Sequence, residues 1–190
     1  MNTPQVKTPW NPERLDVRSF AQASGQISAE APLTRFARLV DELFESSRAE
    51  APAQVQWRAG GSMRTDSQGG AAPAVWLHLQ AKAAVPLQCQ RCLGSVETAL
   101  EVDRWFRFVA DEATAEAQDD ESEEDVLVLE PVMSLLDLLE DELLMSLPIV
   151  PMHETCPVPV VMQASDPGSA LEEGGNGAEH PFAALARLKK

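Results

Sequence analysis

Residues 96–109 read VETALEVDRWFRFV and contain the longest alternation of apolar and polar side chains in the chain. This period of two is typical of a β-strand with one buried face. Val75, Leu77 and Leu79 alternate in the same way further upstream. A short Cys-Gln-Arg-Cys segment separates the two stretches, so the sequence predicts a long β-hairpin with the cysteines at its turn.

Other elements are predicted on both sides of this hairpin. Apolar residues at three- and four-residue spacing indicate amphipathic helices over 33–46 and 134–147. Ser134 and Asp137 form a capping box for the second helix, and weak alternation over 16–27 is compatible with a first strand. We therefore expect an α+β fold in which two amphipathic helices cover an antiparallel sheet of strands around 53–58, 74–88, 94–109 and 126–129.

The length of 190 residues suits one domain with additional tails. We expect a flexible N-terminal segment over 1–15, a single domain over 16–156 and a flexible tail over 157–190. Within the domain, residues 111–125 contain nine acidic side chains and few apolar ones, which predicts a mobile acidic loop. The tail ends in a short basic amphipathic motif over 181–190.

The formal charge of −15 is unevenly distributed along the chain. Residues 1–110 carry 12 basic and 11 acidic side chains, whereas residues 111–190 carry 3 and 19. Because phosphate binding needs clustered Lys and Arg, any RNA-facing surface is expected before residue 110. No stretch has the roughly 18 apolar residues of a membrane span, and residues 1–10 do not resemble a signal peptide. These features predict a cytoplasmic protein without a membrane partner.

The cysteines and one histidine form two pairs with the same spacing. Cys89 and Cys92 are separated by two residues, as are His153 and Cys156. This gap allows both members of a pair to reach one ion, so the four residues could form a Cys3His zinc site. The alternative is a turn with reduced thiols beside an ordinary loop. A thioredoxin-like redox site is disfavoured because such sites open a helix rather than join two strands.

Candidate contact residues for RNA or a protein partner occur in two regions. Arginines near the hairpin, close to Trp105, could pair with phosphates or stack on bases, although the alternation places Arg104 and Arg107 on opposite faces. In the terminal motif, apolar residues at three-residue spacing could enter a partner groove. The candidates are Arg91, Arg104, Arg107, Phe182, Leu185, Leu188 and Lys189.

Catalytic motifs are scarce in this sequence. It contains no P-loop, no Gly-x-Gly-x-x-Gly and no His-Glu-x-x-His pattern. None of its histidines, His78, His153 and His180, has a nucleophile and a carboxylate in a known motif context. We therefore expect a binding protein without catalytic residues or a small-molecule substrate.

Three stretches together resemble the YceD family, the large ribosomal RNA subunit accumulation proteins of bacteria. They are LQCQRC at 87–92, LLDLLEDELLMSLPIVPMH at 135–153 and PFAALARLK at 181–189. The resemblance implies a ribosome biogenesis factor that acts in the synthesis, processing or stability of 23S ribosomal RNA, with that RNA or a ribosomal or assembly protein as its partner. Two alternatives stay open: an acidic chaperone for a basic ribosomal protein, and a zinc- or thiol-dependent enzyme.

Overall fold

The computed structural model describes residues 10–45, 54–65 and 73–158. Within them, a five-stranded sheet with the strand order β1-β2-β3-β4-β5 is combined with α-helices, so the predicted α+β class is confirmed. The elements in chain order are α1 (Val17–Gln22), β1 (Gln26–Pro32), a 3₁₀-helix (Leu33–Arg35), α2 (Ala37–Glu42), β2 (Gln54–Arg64), β3 (Ala74–Gln88), β4 (Ser95–Val109), α3 (Glu112–Asp119), β5 (Asp125–Val128) and α4 (Leu135–Met145). No helix in these ranges is long and apolar enough to cross a membrane.

The predicted hairpin is confirmed as β3 and β4, which pair antiparallel from Val75 opposite Phe108 to Gln88 opposite Ser95. β1 and β2 extend the sheet in the same antiparallel sense. The prediction of a wholly antiparallel sheet is wrong, because β5 pairs parallel to β4. A parallel neighbour needs a crossover connection, and the chain supplies one by passing through α3 between these strands.

One face of the sheet forms the core together with α1, α2 and α4. Alternate side chains of β3 and β4, such as Leu77, Leu79 and Phe106, are buried there, as the period of two predicts. Helix α4 contacts both of these strands, and α2 packs on α4. The fully buried large side chains are Leu15, Phe20, Leu33, Phe36, Leu39, Leu77, Leu79, Leu100, Phe106, Leu135, Leu139 and Leu143.

The first strand suggested over 16–27 begins only at Gln26, and most of this stretch forms helix α1. Asp16 caps helix α1: its Oδ1 accepts a hydrogen bond from the Ser19 backbone N–H at 2.9 Å. Burial of Phe20 then fixes this short helix on the sheet. The helix lies so close to β2 that a Cβ on Gly61 would be 2.9 Å from the Cα of Ala21, which explains the glycine.

The helix predicted over 33–46 is interrupted and shorter. A 3₁₀-helix ends just before Phe36. The φ of −101° and ψ of 83° at Phe36 are not helical, so this residue separates the 3₁₀-helix from α2. After α2 the chain becomes extended at Leu43, and the Phe44 N–H donates to the carbonyl of Pro86 on β3 at 2.9 Å. This tertiary hydrogen bond ends a helix whose apolar pattern continues further. Residues 46–53 lie outside the described ranges.

The mobile acidic loop predicted over 111–125 is not confirmed, because helix α3 forms over Glu112–Asp119. Asp111 caps the helix by accepting a hydrogen bond from the Thr114 N–H at 2.9 Å, and this bond lowers the pKa of its carboxyl. Alanine is the strongest helix former, and Ala113, Ala115 and Ala117 support the helix despite the surrounding charge, with Ala115 buried. Capping and alanine content therefore outweigh the acidic composition.

The chain divides into two units, Met1–Thr155 and Cys156–Lys190. In the first, residues 10–15 belong to the segment predicted to be flexible, yet Leu15 is fully buried and pairs with Met133 as an isolated β-bridge. Of the second unit, only residues 156–158 are described. The terminal motif over 181–190, with Phe182, Leu185, Leu188 and Lys189, lies outside the described residues.

Candidate metal centre

The Cys-x-x-Cys segment forms the tight turn between β3 and β4. The Cys89 N–H donates to the Gly94 carbonyl at 2.9 Å, and the Leu93 N–H donates to the Cys89 carbonyl at 2.8 Å. Leu93 has a φ of 58°, in the left-handed region that residues other than glycine seldom adopt. This conformation closes the turn and presents Cys89 and Cys92 from one short segment.

Hydrogen bonds join this turn to the segment that follows α4. The Gln90 N–H donates to the carbonyl of Pro151 at 2.9 Å. Arg91 Nη2 donates to the carbonyl of His153 at 2.7 Å and to that of Glu154 at 3.3 Å. Two segments about 60 residues apart in sequence are thus held together by backbone acceptors, independently of any sulfur contact.

The four residues predicted as metal ligands come together at this junction. One potential ligand atom from each of Cys89, Cys92, His153 and Cys156 lies within 4.8 Å of the other three. We call this set the thiol–imidazole cluster. Cys92 Sγ is 3.4 Å from His153 Nδ1. Cys89 is fully buried and the other three are half-buried, and no disulfide bond joins any two of the three cysteines.

The surroundings of Cys89 favour its thiolate form. Hydrogen bonds lower the pKa of this thiol from 9.0 to about 5. The largest cause is the backbone N–H of Cys92, and burial opposes it; the N–H groups of His153 and Arg91 add to the lowering. Because metal ions bind the thiolate rather than the thiol, the turn stabilises Cys89 in the form that acts as a ligand.

The donor set matches the requirements of zinc. Structural zinc sites are tetrahedral and use Cys and His, and a Zn–S bond of about 2.3 Å places neighbouring donors roughly 3.8 Å apart. The distances in the cluster, 3.4 Å for one pair and at most 4.8 Å for all, bracket this value. Four protein ligands complete a closed site, and such a site leaves no position for a substrate.

The arginines predicted as contact residues are not brought together. Arg91 is bound to the segment after α4. Arg104 pairs with Asp125 at 2.6 Å, and Arg107 Nε pairs with Glu124 at 2.5 Å. Arg107 also donates to Gln118 and Ser122, and thereby fastens the C-terminal end of α3. Arg91 therefore stabilises the hairpin turn, whereas Arg104 and Arg107 both pair with consecutive carboxylates at the start of β5.

An aromatic cluster lies at the other end of the hairpin, on the sheet face opposite the core. His78 stacks on Trp105 at 3.9 Å with 4° between the planes, and Trp76 meets Trp105 edge to face at 6.4 Å. The guanidinium of Arg64 lies over Trp105. Sequence reasoning missed this group. The alternation already places Trp76 and His78 on one face of β3, but the strand register is needed to pair His78 with Trp105.

The fold and the site define a class of protein. It is an α+β protein in which the turn of the central hairpin contacts the segment after α4, with the thiol–imidazole cluster between them. A family model described as "Large ribosomal RNA subunit accumulation protein YceD" matches residues 77–189. This match covers more than half of the chain and includes all four residues of the cluster. The chain belongs to the YceD family, and the resemblance seen in the three motifs is confirmed.

One curated relative is the protein named "Large ribosomal RNA subunit accumulation protein YceD" from Haemophilus influenzae. It is 34% identical over 113 residues, which correspond to 56% of this chain and 60% of the relative. The chain thus matches less than two thirds of the length of that protein. No solved structure matches the chain.

Proposed function

We propose that this chain is a cytoplasmic ribosome biogenesis factor that promotes the accumulation of 23S ribosomal RNA by binding, without catalysis. The family match over residues 77–189 carries this proposal. It is supported by the name of the Haemophilus influenzae relative, whose similarity is confined to part of both chains. The chain would act in the synthesis, processing or stability of that RNA.

The thiol–imidazole cluster has a structural role in this proposal. A zinc ion held by Cys89, Cys92, His153 and Cys156 would join the hairpin turn to the segment that follows α4. Support comes from the donor distances and from the hydrogen bonds of Arg91 to the same segment. A zinc- or thiol-dependent enzyme is a weaker alternative, because four protein donors would occupy the coordination positions of the metal.

A ribosomal or assembly protein is the better-supported immediate partner. Arg104 and Arg107 are both paired with carboxylates of this chain, so they offer little to RNA phosphates. The excess of acidic side chains after residue 110 favours a basic protein instead. This observation supports the acidic chaperone as the second candidate function. The terminal motif with Phe182, Leu185, Leu188 and Lys189 remains a predicted contact region.

Depletion of the protein in its own cells tests the proposed function. We expect the ratio of 23S to 16S ribosomal RNA to fall on depletion and to recover when the wild-type chain is restored. A Cys89→Ser chain should restore the ratio only in part, whereas an Arg58→Ala chain, altered far from the cluster, should restore it fully. A normal ratio in depleted cells would contradict the proposal, and full rescue by Cys89→Ser would remove the metal and thiol roles.

A further inference from the structure

Arg64 rests on a pair of tryptophans at the end of the hairpin remote from the cysteines. Its guanidinium carbon lies 3.8 Å from the ring centroid of Trp105 and 5.1 Å from that of Trp76. His78 stacks on Trp105 at 3.9 Å. Both groups are too close to Trp105 to share one side of its ring, so they occupy opposite faces. The face of the Trp105 ring that is turned away from His78 is therefore already covered by the Arg64 guanidinium.

The contacts of Arg64 are those of a displaceable group. Its side chain is exposed, and its Nε donates to the Ser62 hydroxyl at 3.2 Å. Among residues 10–45, 54–65 and 73–158, Arg64 forms no ion pair, whereas Arg104 and Arg107 both do. A cation–π contact at an exposed site is a weak interaction. A second cation could therefore replace Arg64 without breaking a salt bridge.

The space around these rings has an acidic wall. A cavity of about 300 Å³ is lined by Arg64, Trp76, Asp103, Arg104, Trp105, Glu123, Glu124 and Asp125. We call it the tryptophan pocket. Asp125 and Glu124 are paired with arginines, and Asp103 accepts hydrogen bonds from His78 and Gln80. Glu123 is exposed and forms no ion pair within the described part of the chain, so one carboxylate remains available to a guest.

We propose that the tryptophan pocket binds an arginine side chain from a basic protein segment, and that Arg64 occupies this position until the partner arrives. An incoming guanidinium would stack on Trp105 and pair with Glu123, two interactions that a cation favours. RNA is the less suitable guest because its phosphates would meet the carboxylate wall. The proposal rests on the proposed function, for which it names the chemistry of the partner.

Binding of a labelled peptide to the purified full chain tests this assignment. The peptide carries spaced arginines in a Gly-Ser background; a lysine version and a mixed-sequence single-stranded RNA serve as comparisons, with fluorescence anisotropy as the readout. We expect the arginine peptide to bind most tightly. Arg64→Ala should tighten its binding about threefold, because the resident competitor is removed. Arg58→Ala, which removes the same charge six residues away on the same face of β2, should change it less than about twofold.

Two substitutions in the pocket should have the opposite effect. Trp105→Leu is expected to weaken peptide binding about fivefold, and Glu123→Gln about twofold. Glu123 is exposed, so its variant keeps the test valid if Trp105→Leu does not fold. Absence of peptide binding, weaker binding by Arg64→Ala, or tighter binding of RNA than of the peptide would each overturn the proposal.

The cellular test separates this inference from the proposed function. If Trp105→Leu folds and restores the ratio of 23S to 16S RNA fully, the pocket has no role in the cell and the inference fails, while the proposed function stands. If depletion itself leaves the ratio normal, the proposed function fails even when the purified chain binds the peptide. Partial rescue by Trp105→Leu, with full rescue by Arg58→Ala, would support both.

Discussion

The two ends of the β3–β4 hairpin are built for different tasks. At the turn, sulfur and imidazole groups converge and the fully buried Cys89 faces other protein donors. At the other end, about 40 Å along the strands, the tryptophan pocket holds the exposed Arg64 and the carboxylate of Glu123, which forms no ion pair with any residue that the structure describes. At the turn, the cysteine and histidine side chains contact one another and join two segments of the chain. At the pocket, Arg64 and Glu123 are exposed to a partner.

Loss of a cluster thiol should have the largest effect on stability. We expect Cys89→Ser to abolish zinc binding and to lower the free energy of unfolding by about 3 kcal/mol, because a structural metal binds only the folded state. Chemical denaturation in zinc-containing buffer measures this. The tryptophan pocket should still bind the arginine peptide at temperatures where the variant is folded.

A chelator provides the matched control. It should destabilise the wild-type chain by a similar amount and leave Cys89→Ser almost unchanged. If the chelator destabilised both proteins equally, the effect of the substitution would come from packing of the thiol and not from a metal.

Release of α3 should affect the pocket end alone. Arg107 is largely buried and fastens this helix through Gln118, Ser122 and Glu124. We expect Arg107→Met to cost about 2 kcal/mol, because a partly buried carboxylate loses its partner. Hydrogen exchange should rise over 112–119 while the reactivity of the cysteine thiols stays at the wild-type level.

Lys82 offers a comparison for this loss. Its exposed ammonium group pairs with the exposed carboxylate of Glu101, and exposed pairs contribute about 0–1 kcal/mol. Lys82→Met should therefore lower the free energy of unfolding by less than Arg107→Met does. If Arg107→Met cost no more than Lys82→Met, Arg107 would not anchor α3.

The smallest effects should come from two carboxyl groups on opposite sides of the sheet. Hydrogen bonds from His78 and then Gln80 lower the pKa of Asp103 below 3.8, so ionised Asp103 contributes stability that is lost as the pH falls through its folded-state pKa. Burial raises the pKa of Glu142 above 4.5 despite the opposing charge of Arg104. Ionised Glu142 therefore reduces stability as the pH rises through its folded-state pKa.

These opposite signs give a paired prediction. At pH 7, Asp103→Asn should lower the free energy of unfolding, and Glu142→Gln should raise it. The Glu142→Gln difference should shrink as the pH falls through the folded-state pKa of Glu142, which lies above 4.5. The Asp103→Asn difference should disappear only at a lower pH, as the pH falls through the folded-state pKa of Asp103 below 3.8. Urea denaturation across this pH range measures the effect, and a destabilised Glu142→Gln protein at pH 7 would contradict it.

Local patterns predicted the hairpin, helix α4 and the four residues of the thiol–imidazole cluster. Cys89 with Cys92, and His153 with Cys156, are recognisable because each pair is close in sequence. The structure adds what depends on long-range contacts: the parallel pairing of β5, and the register that places His78 against Trp105. Helix α3 was not predicted because the acidic composition indicated a loop, although the Asp111 cap and the alanines favour a helix.

We propose above all that one metal ion joins the hairpin turn to the segment after α4 through Cys89, Cys92, His153 and Cys156. Native mass spectrometry of the full chain, purified without chelator, tests it most directly. The account predicts one zinc ion per chain, and none in the Cys89→Ser variant. A metal-free chain after incubation with excess zinc, with all three thiols open to alkylation under native conditions, would contradict it.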